Sequence, residues 1–203
     1  MVSIRTLFTS AAAMLAVPAL AAIPPAKVVE NIKALTAKSE ALQNPARSIS
    51  IINGPLIVVG LGPFPQLIAG FTDIVSTATV AISQMQGSAP VTLAAEATPV
   101  AEAFREFVRV HQVLLNILIG KSGLFTTVPF IGEPVAAVLR QVENVVDTIA
   151  FGLIDTIDVA GPKKSITDDS NALSGSLDLT IKKYQGLVTV GVNFKREAKV
   201  FVA

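Results

Sequence analysis

The chain of 203 residues contains no cysteine and no tryptophan, and it has one tyrosine and one histidine. Without cysteine it has no disulfides, thiolate metal ligands or thiol nucleophiles, and one histidine cannot supply a multi-histidine metal centre. The 16 lysines and arginines nearly balance the 15 acidic residues and form no sustained basic stripe, so we expect no nucleic-acid partner. Most enzyme classes lose their usual catalytic groups, and the informative feature that remains is the apolar content, 51% of the chain.

The first 21 residues have the pattern of a secretory signal peptide. Arg5 is their only charged residue, residues 7–20 are largely apolar, and Ala19-Leu20-Ala21 offers the small residues that signal peptidase requires. A membrane anchor is the alternative, but a run of about 14 residues is shorter than the roughly 20 needed to span a bilayer. We therefore predict a secreted protein, extracellular or associated with the cell wall, whose mature part begins near Ala22.

The mature part has more apolar residues than a domain of its size usually buries. Apolar residues and glycine make up about 56% of it, against roughly 45–50% in typical globular domains. Residues 48–104 contain three acidic residues and no lysine or arginine. We expect the surplus apolar surface to form a cavity, an oligomer interface or a contact with a hydrophobic substrate.

Apolar side chains recur at helical spacing along most of the chain, which predicts an all-α fold. We expect one antiparallel bundle of about five to six helices over residues 24–187, followed by a tail, residues 188–203, that is flexible. The apolar helix faces are Val28, Ile32, Leu35, Ser39 and Leu42; Phe64, Ile68, Phe71, Val75, Ala78, Ile82 and Met85; Val100, Phe104, Phe107, His111, Leu114 and Leu118; Val135, Leu139, Val142, Val146, Ile149, Leu153 and Ile157; and Leu173, Leu177, Ile181 and Tyr184.

Proline and glycine set the expected helix ends. Pro45 is expected to end the first helix. Thr98-Pro99 opens the regular part of the fourth helix, although the helical pattern reaches back to about Thr92. Gly161-Pro162 is expected to end the fifth helix, and a shorter, more polar helix is expected over residues 168–185.

Residues 48–72 form a stretch of 25 residues without a charged side chain. One interpretation is a transmembrane span. The stretch is interrupted by Gly54-Pro55 and by the glycines and prolines of residues 60–65, whose freed backbone groups would need partners inside lipid. We favour a kinked or split helix at residues 48–60 that is buried in the bundle, with no transmembrane span; shallow insertion or adsorption at a surface is the second alternative.

Signatures of catalysis and of metal binding are absent from the sequence, which has no G-x-S-x-G, P-loop, H-E-x-x-H or calcium-loop motif. Asp147, Asp155 and Asp158 are interpreted as a solvated face near a helix end. His111 lies on the apolar stripe of its helix. There it is either a core histidine hydrogen-bonded to backbone or a contact for a fatty acid carboxylate at the mouth of a cavity. We predict no catalytic residue, no metal and no cofactor.

Segments in the second half of the chain resemble a known family. The run AFREFVRVHQVLLNILIGKSGLF at residues 103–125, followed by VPFIGEPVAAVLRQVENVVDTIAFGLID at residues 128–155, is similar to the fungal hydrophobic surface binding protein A family, which includes cell wall galactomannoproteins. GPFPQLIAGFTDIV at residues 62–75 is similar too. The resemblance covers residues 27–187 and implies secretion, association with the cell wall, and adhesion to hydrophobic surfaces or binding of a lipid within the bundle. For some members it also implies recruitment of a secreted polyester hydrolase.

Composition and resemblance together favour a binding protein. Recognition of an acyl chain takes apolar lining and a few polar groups, whereas an enzyme acting on lipids or esters needs an activated nucleophile and its base. That enzyme, and a structural cell wall protein without ligand, are the alternatives. We predict a cavity for a lipid or fatty acid between the third, fourth and fifth helices, where Ala78 and Gly152 are small enough to leave room. Its predicted lining is Phe71, Val75, Ala78 and Ile82, then Phe107, His111 and Leu115, and then Val138, Val142 and Ile149.

Overall fold

The computed structural model describes residues 23–50, 52–53, 56, 61–127 and 132–185. The predicted signal peptide and tail lie outside these ranges, as does most of the predicted kinked helix at residues 48–60. The described residues are mainly helical, and the β pairing among them is one isolated bridge between Val91 and Ile157. The all-α bundle predicted from the sequence is therefore confirmed.

Five long helices and two short ones make up the regular structure of the described residues. The long helices are amphipathic, so each buries one apolar face, and the short ones follow the first and third long helices. In chain order they are α1 (Pro25–Ala41), α2 (Gln43–Ser48), α3 (Pro63–Met85), α4 (Ala94–Lys121), a 3-10 helix (Ser122–Thr127), α5 (Gly132–Thr156) and α6 (Ala160–Gln185).

Proline lies in the first turn of several helices, where the backbone N–H groups have no intrahelical partner to lose. Pro25 begins α1, as the sequence predicts. Two prolines predicted to end a helix instead lie in the first turn of the next one: Pro45 in α2, after α1 has ended at Ala41, and Pro162 with Gly161 in α6, after α5 has ended at Thr156. α6 thus begins before residue 168. α4 begins at Ala94, between the two starts that the sequence allowed, and Pro99 lies inside it.

The five long helices pack side by side in a closed ring, in the order α1, α4, α6, α5, α3 and back to α1. Successive long helices run in opposite directions along the chain, as predicted for an antiparallel bundle. The ring order nevertheless places α4 between α1 and α6, which both run in the same direction as α4. At one end, which we call the top, α1, α4 and α6 begin and α3 and α5 end.

Two backbone hydrogen bonds fasten the loop between α3 and α4 to the end of α5 at the top. The N–H of Val91 donates to the carbonyl of Thr156 at 2.8 Å, and the N–H of Asp158 donates to the carbonyl of Val91 at 2.9 Å. We call this pair of hydrogen bonds the clasp. It joins segments that are far apart in sequence and closes one side of the top.

α1 and the residues that follow it approach α3 at a glycine. Leu42 is buried between α1 and α2, and a Cβ atom built on Gly70 of α3 would lie 2.2 Å from a methyl carbon of Leu42. No real side-chain contact is that short. Gly70 therefore provides the space in which the leucine packs against α3.

α3 is the one helix among the described residues that is long and apolar enough to cross a membrane, by length and composition only. Within the ring it buries Phe64, Leu67, Phe71 and Ile74. On that face the apolar side chains of α3 pack within the bundle.

Candidate functional site

Four polar residues are buried in the part of the chain that the structure describes, and two of them pair across the bundle. Ser122 and Thr180 each donate to a backbone carbonyl one turn earlier. Ser39 of α1 instead meets the imidazole of His111 on α4, with 2.9 Å between Oγ and Nδ1. The histidine is thus bonded to a side chain rather than to backbone, and it lies in the interior rather than at a cavity mouth.

The imidazole of His111 keeps one nitrogen without a partner. The hydroxyl of Ser39 has no acceptor among the described residues other than Nδ1, so we assign it as the donor and place the ring proton on Nε2. Nε2 is buried and forms no hydrogen bond in the structure. Burial lowers the pKa of His111 to about 4, so the ring is neutral at neutral pH. An unsatisfied buried donor costs about 1–3 kcal/mol.

Two phenylalanines flank this imidazole. Phe107 precedes His111 by one turn of α4, and the two ring centroids are 5.4 Å apart. Phe71 of α3 meets the imidazole edge-on at a centroid distance of 6.3 Å. Both phenylalanines are buried, so the unsatisfied N–H lies in an aromatic, apolar environment where α1, α3 and α4 meet.

The top of the bundle carries a groove of about 280 Å³ that adjoins a much narrower pocket of about 20 Å³, here called the neck. The buried side chains of Val100 and Leu153 contribute to the walls of the neck. Ser88 lies where the two spaces meet, and its Oγ is buried without a hydrogen-bond partner in the described structure. The residues that line both spaces are Pro25, Val28, Ser88, Val91 and Thr156.

A second groove, of about 170 Å³, runs between α3 and α5 on the outside of the bundle. Ile82, Met85 and Gly152 contribute to its walls. A Cβ atom on Gly152 would lie 3.4 Å from Met85 Cε, so the methionine occupies part of the room that the sequence assigned to this glycine. Phe151, next to Gly152 on α5, is 67% exposed. This side of the bundle therefore presents apolar surface to solvent.

Nine of the ten predicted lining residues belong to the hydrophobic core or pack against it, and the tenth, His111, is a buried polar residue. Eight are buried, while Val75 and Ile82 are half-buried, and Ile82 lines the outer groove. α4 faces α3 and α5 across the ring rather than packing along them, so the predicted three-helix cavity corresponds to the ring interior. In the structure this interior is occupied by the predicted side chains themselves, and the cavity stays a prediction. The ten are Phe71, Val75, Ala78, Ile82, Phe107, His111, Leu115, Val138, Val142 and Ile149.

Sequence reasoning missed Ser39 as a partner of His111 and missed the neck altogether. Ser39 and His111 are each a polar residue on an otherwise apolar helical stripe. This shared feature was the signal in the sequence that could have indicated their pairing. The neck gives no such signal, because it depends on a loop residue, Ser88, meeting the ends of helices that are distant in sequence.

The carboxylates of α5 do not form a catalytic or metal-binding group. Asp155 and Asp158 are exposed, and Asp147 accepts a hydrogen bond from Ser174 at 2.9 Å. Burial and the nearby charge of Asp147 raise the pKa of Glu143. The described residues contain no cluster of three or more histidines or acids placed to hold a metal ion.

No family model and no curated protein sequence matches this chain. Solved structures do. The ring of helices matches Afmp4p in complex with palmitic acid, with a TM-score of 0.69 and 15% identity over 79% of this chain and 99% of that one. This chain shares the fold of that structure and of the two described next. Ligand-binding domain 1 of Penicillium marneffei MP1, complexed with arachidonic acids, matches with a TM-score of 0.64 and 16% identity over 78% of this chain and 95% of that one. Domain 2, complexed with multiple arachidonic acids, matches with a TM-score of 0.63 and 16% identity over 79% and 94%.

Proposed function

We propose that this protein is a non-enzymatic binding protein that holds a lipid or fatty acid in the apolar interior of its helical ring. The observation that carries the proposal is the shared fold, because the structures that match most of this chain hold palmitic or arachidonic acid. The interior offers what an acyl chain needs, since it is lined by apolar side chains from all five long helices and contains very few polar groups.

The top groove and the neck provide the entrance in this proposal. The groove is open to solvent and shares lining residues with the neck, whose walls include the buried side chains of Val28, Val100 and Leu153. Because the neck is narrow, a ligand enters only when the side chains around it, or the clasp beside it, move. The ten predicted lining residues would then contact the acyl chain along the ring interior.

The setting of this function is secretion. The signal-peptide pattern and the resemblance to hydrophobic surface binding protein A support an extracellular or wall-associated protein that also adheres to hydrophobic surfaces, and a secreted polyester hydrolase is the partner that the resemblance suggests. The exposed Phe151 beside the outer groove is a contact of the right chemistry for adhesion. We propose no transmembrane span, because α3 uses one apolar face inside the ring.

An enzyme acting on lipid esters is the competing function. The solitary histidine is neutral and bonded to Ser39, but the pair is enclosed among phenylalanines, and no carboxylate contacts His111 Nε2. A hydrolase would need a third group to orient the base and a route for water. Hydrolysis of short-chain esters that disappears in His111→Phe would establish the enzyme and overturn the binding protein.

Native mass spectrometry and a fluorescent fatty acid test the binding function. We expect the purified full chain to carry a mass increment equal to one or more lipids, and to take up the fluorescent fatty acid from solution. Ser88→Phe fills the junction of groove and neck, so we expect uptake to slow by roughly tenfold, the effect of about 1.4 kcal/mol on a barrier.

Ser83→Phe is the matched control for this experiment. It makes the same substitution on the exposed face of α3, away from the neck, so uptake should keep the wild-type rate. A wild-type protein that neither carries nor takes up lipid would overturn the proposed function. Equal uptake by wild type and Ser88→Phe would place the entrance elsewhere.

A further inference from the structure

The pairing of Ser39 with His111 is unlike the bonding of Ser122 and Thr180, the other buried residues with aliphatic hydroxyl groups. Ser122 and Thr180 satisfy their hydroxyls on a neighbouring turn of helix, as such residues usually do. Ser39 forms no such bond to its own helix in the described structure, and its hydroxyl lies 2.9 Å from Nδ1 of His111. With the tautomer assigned above, the N–H of Nε2 is a single buried donor.

The described part of the protein supplies no acceptor for that donor. Every backbone and side-chain acceptor in the described structure lies outside hydrogen-bond reach of Nε2. A buried water would need two to four polar partners, while the rings of Phe71 and Phe107 flank the imidazole. Buried donors are rarely left without a partner, so the missing acceptor points to a ligand.

We infer that Nε2–H of His111 donates a hydrogen bond to an uncharged carbonyl oxygen of the bound lipid, in an acyl ester or an un-ionised fatty acid. The inference rests on the proposed function and adds the position and chemistry of the head group. The acceptor is uncharged because no charged side chain is buried among the described residues, so an ionised carboxylate there would have no counter-charge.

The position of the pair along the bundle fits this role. Ser39 lies 11 residues beyond Val28 on α1, and His111 lies 11 residues beyond Val100 on α4. Both intervals correspond to about 16 Å of helix, so Ser39 and His111 lie at about the same distance from the neck on two neighbouring helices. A carbonyl held at His111 would direct the acyl chain along that length toward the neck, in place of side chains that now fill the interior and would have to move apart.

Equilibrium binding of matched ligands tests the inference. Methyl palmitate, heptadecane and palmitate displace the apolar dye diphenylhexatriene from the full chain at pH 8, where palmitate is ionised. We expect methyl palmitate to bind about threefold to tenfold more tightly than heptadecane, the effect of one net hydrogen bond. We expect it to bind more tightly than palmitate as well.

Variants then assign the preference to one nitrogen. His111→Phe keeps an aromatic ring of similar size without a donor, and it should bind the ester and the alkane equally. His111→Leu, which adds no volume, makes the same comparison if the phenylalanine variant does not fold. Thr180→Val, which removes a buried hydroxyl already bonded to its own helix, is the control and should keep the wild-type preference.

The outcomes separate the inference from the function. Equal binding of ester and alkane by wild type, or an ester preference that survives in the His111 variants, overturns the inference and leaves lipid binding intact. Tighter binding of palmitate that depends on His111 shows that the head group is charged and overturns the uncharged acceptor. Failure of all three ligands to displace the dye from wild type overturns the proposed function itself.

Discussion

His111 is the buried side chain whose charge changes within the pH range in which folded proteins are handled. Its pKa is about 4 in the folded chain and near 6.5 in an unfolded one, because burial disfavours the imidazolium. Between these values the unfolded chain binds a proton that the folded chain does not. The folded state is therefore fully stabilised above about pH 6.5 and loses up to about 3 kcal/mol as the pH falls to 4.

Urea denaturation at pH 7 and at pH 4.5 measures this loss. We expect wild type to lose about 2–3 kcal/mol more of its unfolding free energy than His111→Phe loses over the same interval, because the variant has no imidazole to protonate. Both proteins share every carboxylate, so acid effects from those groups cancel in the difference. Equal losses in the two proteins would show that His111 is hydrated in the folded state.

At the scale of single residues, the sequence predicted the burial of His111 and Ser39 but not their contact. Both positions fall on apolar helical stripes, and periodicity alone places them inside. They are 72 residues apart on helices that are not consecutive, and nothing in a periodic pattern states which stripes face each other. The tautomer, and with it the unsatisfied donor, follows only from that contact.

At the scale of the element, glycines in helices have opposite effects according to their surroundings. Gly175 in α6 is exposed, and a Cβ atom there would meet nothing within 4 Å. We expect Gly175→Ala to raise the unfolding free energy by about 0.5–1 kcal/mol through helix propensity.

Gly70 in α3 should respond in the opposite direction to the same substitution. A Cβ atom there collides with the buried side chain of Leu42, so we expect Gly70→Ala to lower the unfolding free energy by about 1 kcal/mol or more despite its better helix propensity. Thermal denaturation of the two variants side by side measures both effects. A Gly70→Ala protein as stable as Gly175→Ala would mean that Leu42 can move aside freely.

The presence of the long helices could be predicted from the sequence, whereas the residues at which the helices begin and end were predicted less well. Four-three periodicity identified the long helices because an apolar face must be continuous to be buried. Pro45 and Gly161-Pro162 were interpreted as ends, yet proline is compatible with the first turn of a helix, and α4 even continues through Pro99. The same residue therefore marks a start or a stop, and the sequence alone does not distinguish them.

At the scale of the whole molecule, the order of helices around the ring was beyond the sequence. Antiparallel neighbours in sequence would suggest a simple meander, whereas α4 packs between α1 and α6. The space predicted to lie between the third, fourth and fifth helices therefore corresponds to the centre of the ring of five long helices. The amphipathic pattern predicts which residues are buried. Which helix faces pack against each other depends on side-chain shape, which the pattern does not describe.

Adsorption to hydrophobic surfaces is the whole-molecule property that we expect to be insensitive to salt. The 16 basic and 15 acidic residues of the chain nearly balance, and residues 48–104 contribute no lysine or arginine. Attachment to wax or polystyrene should therefore come from apolar burial, at about 25 cal/mol per Å². We expect 1 M NaCl to leave the adsorbed amount unchanged or to raise it. Quantitative release by moderate NaCl would instead assign adsorption to the basic cluster at residues 195–199.

In the proposed function, the clasp affects how long a bound lipid stays rather than how tightly it binds. The clasp consists of two hydrogen bonds between backbone atoms of Val91, Thr156 and Asp158, and Val91 and Thr156 also line the neck. Opening of such a pair is a local event, which costs less free energy than unfolding of the bundle. Substitutions at the clasp should therefore alter the rate at which a lipid exchanges, with little change in its equilibrium affinity.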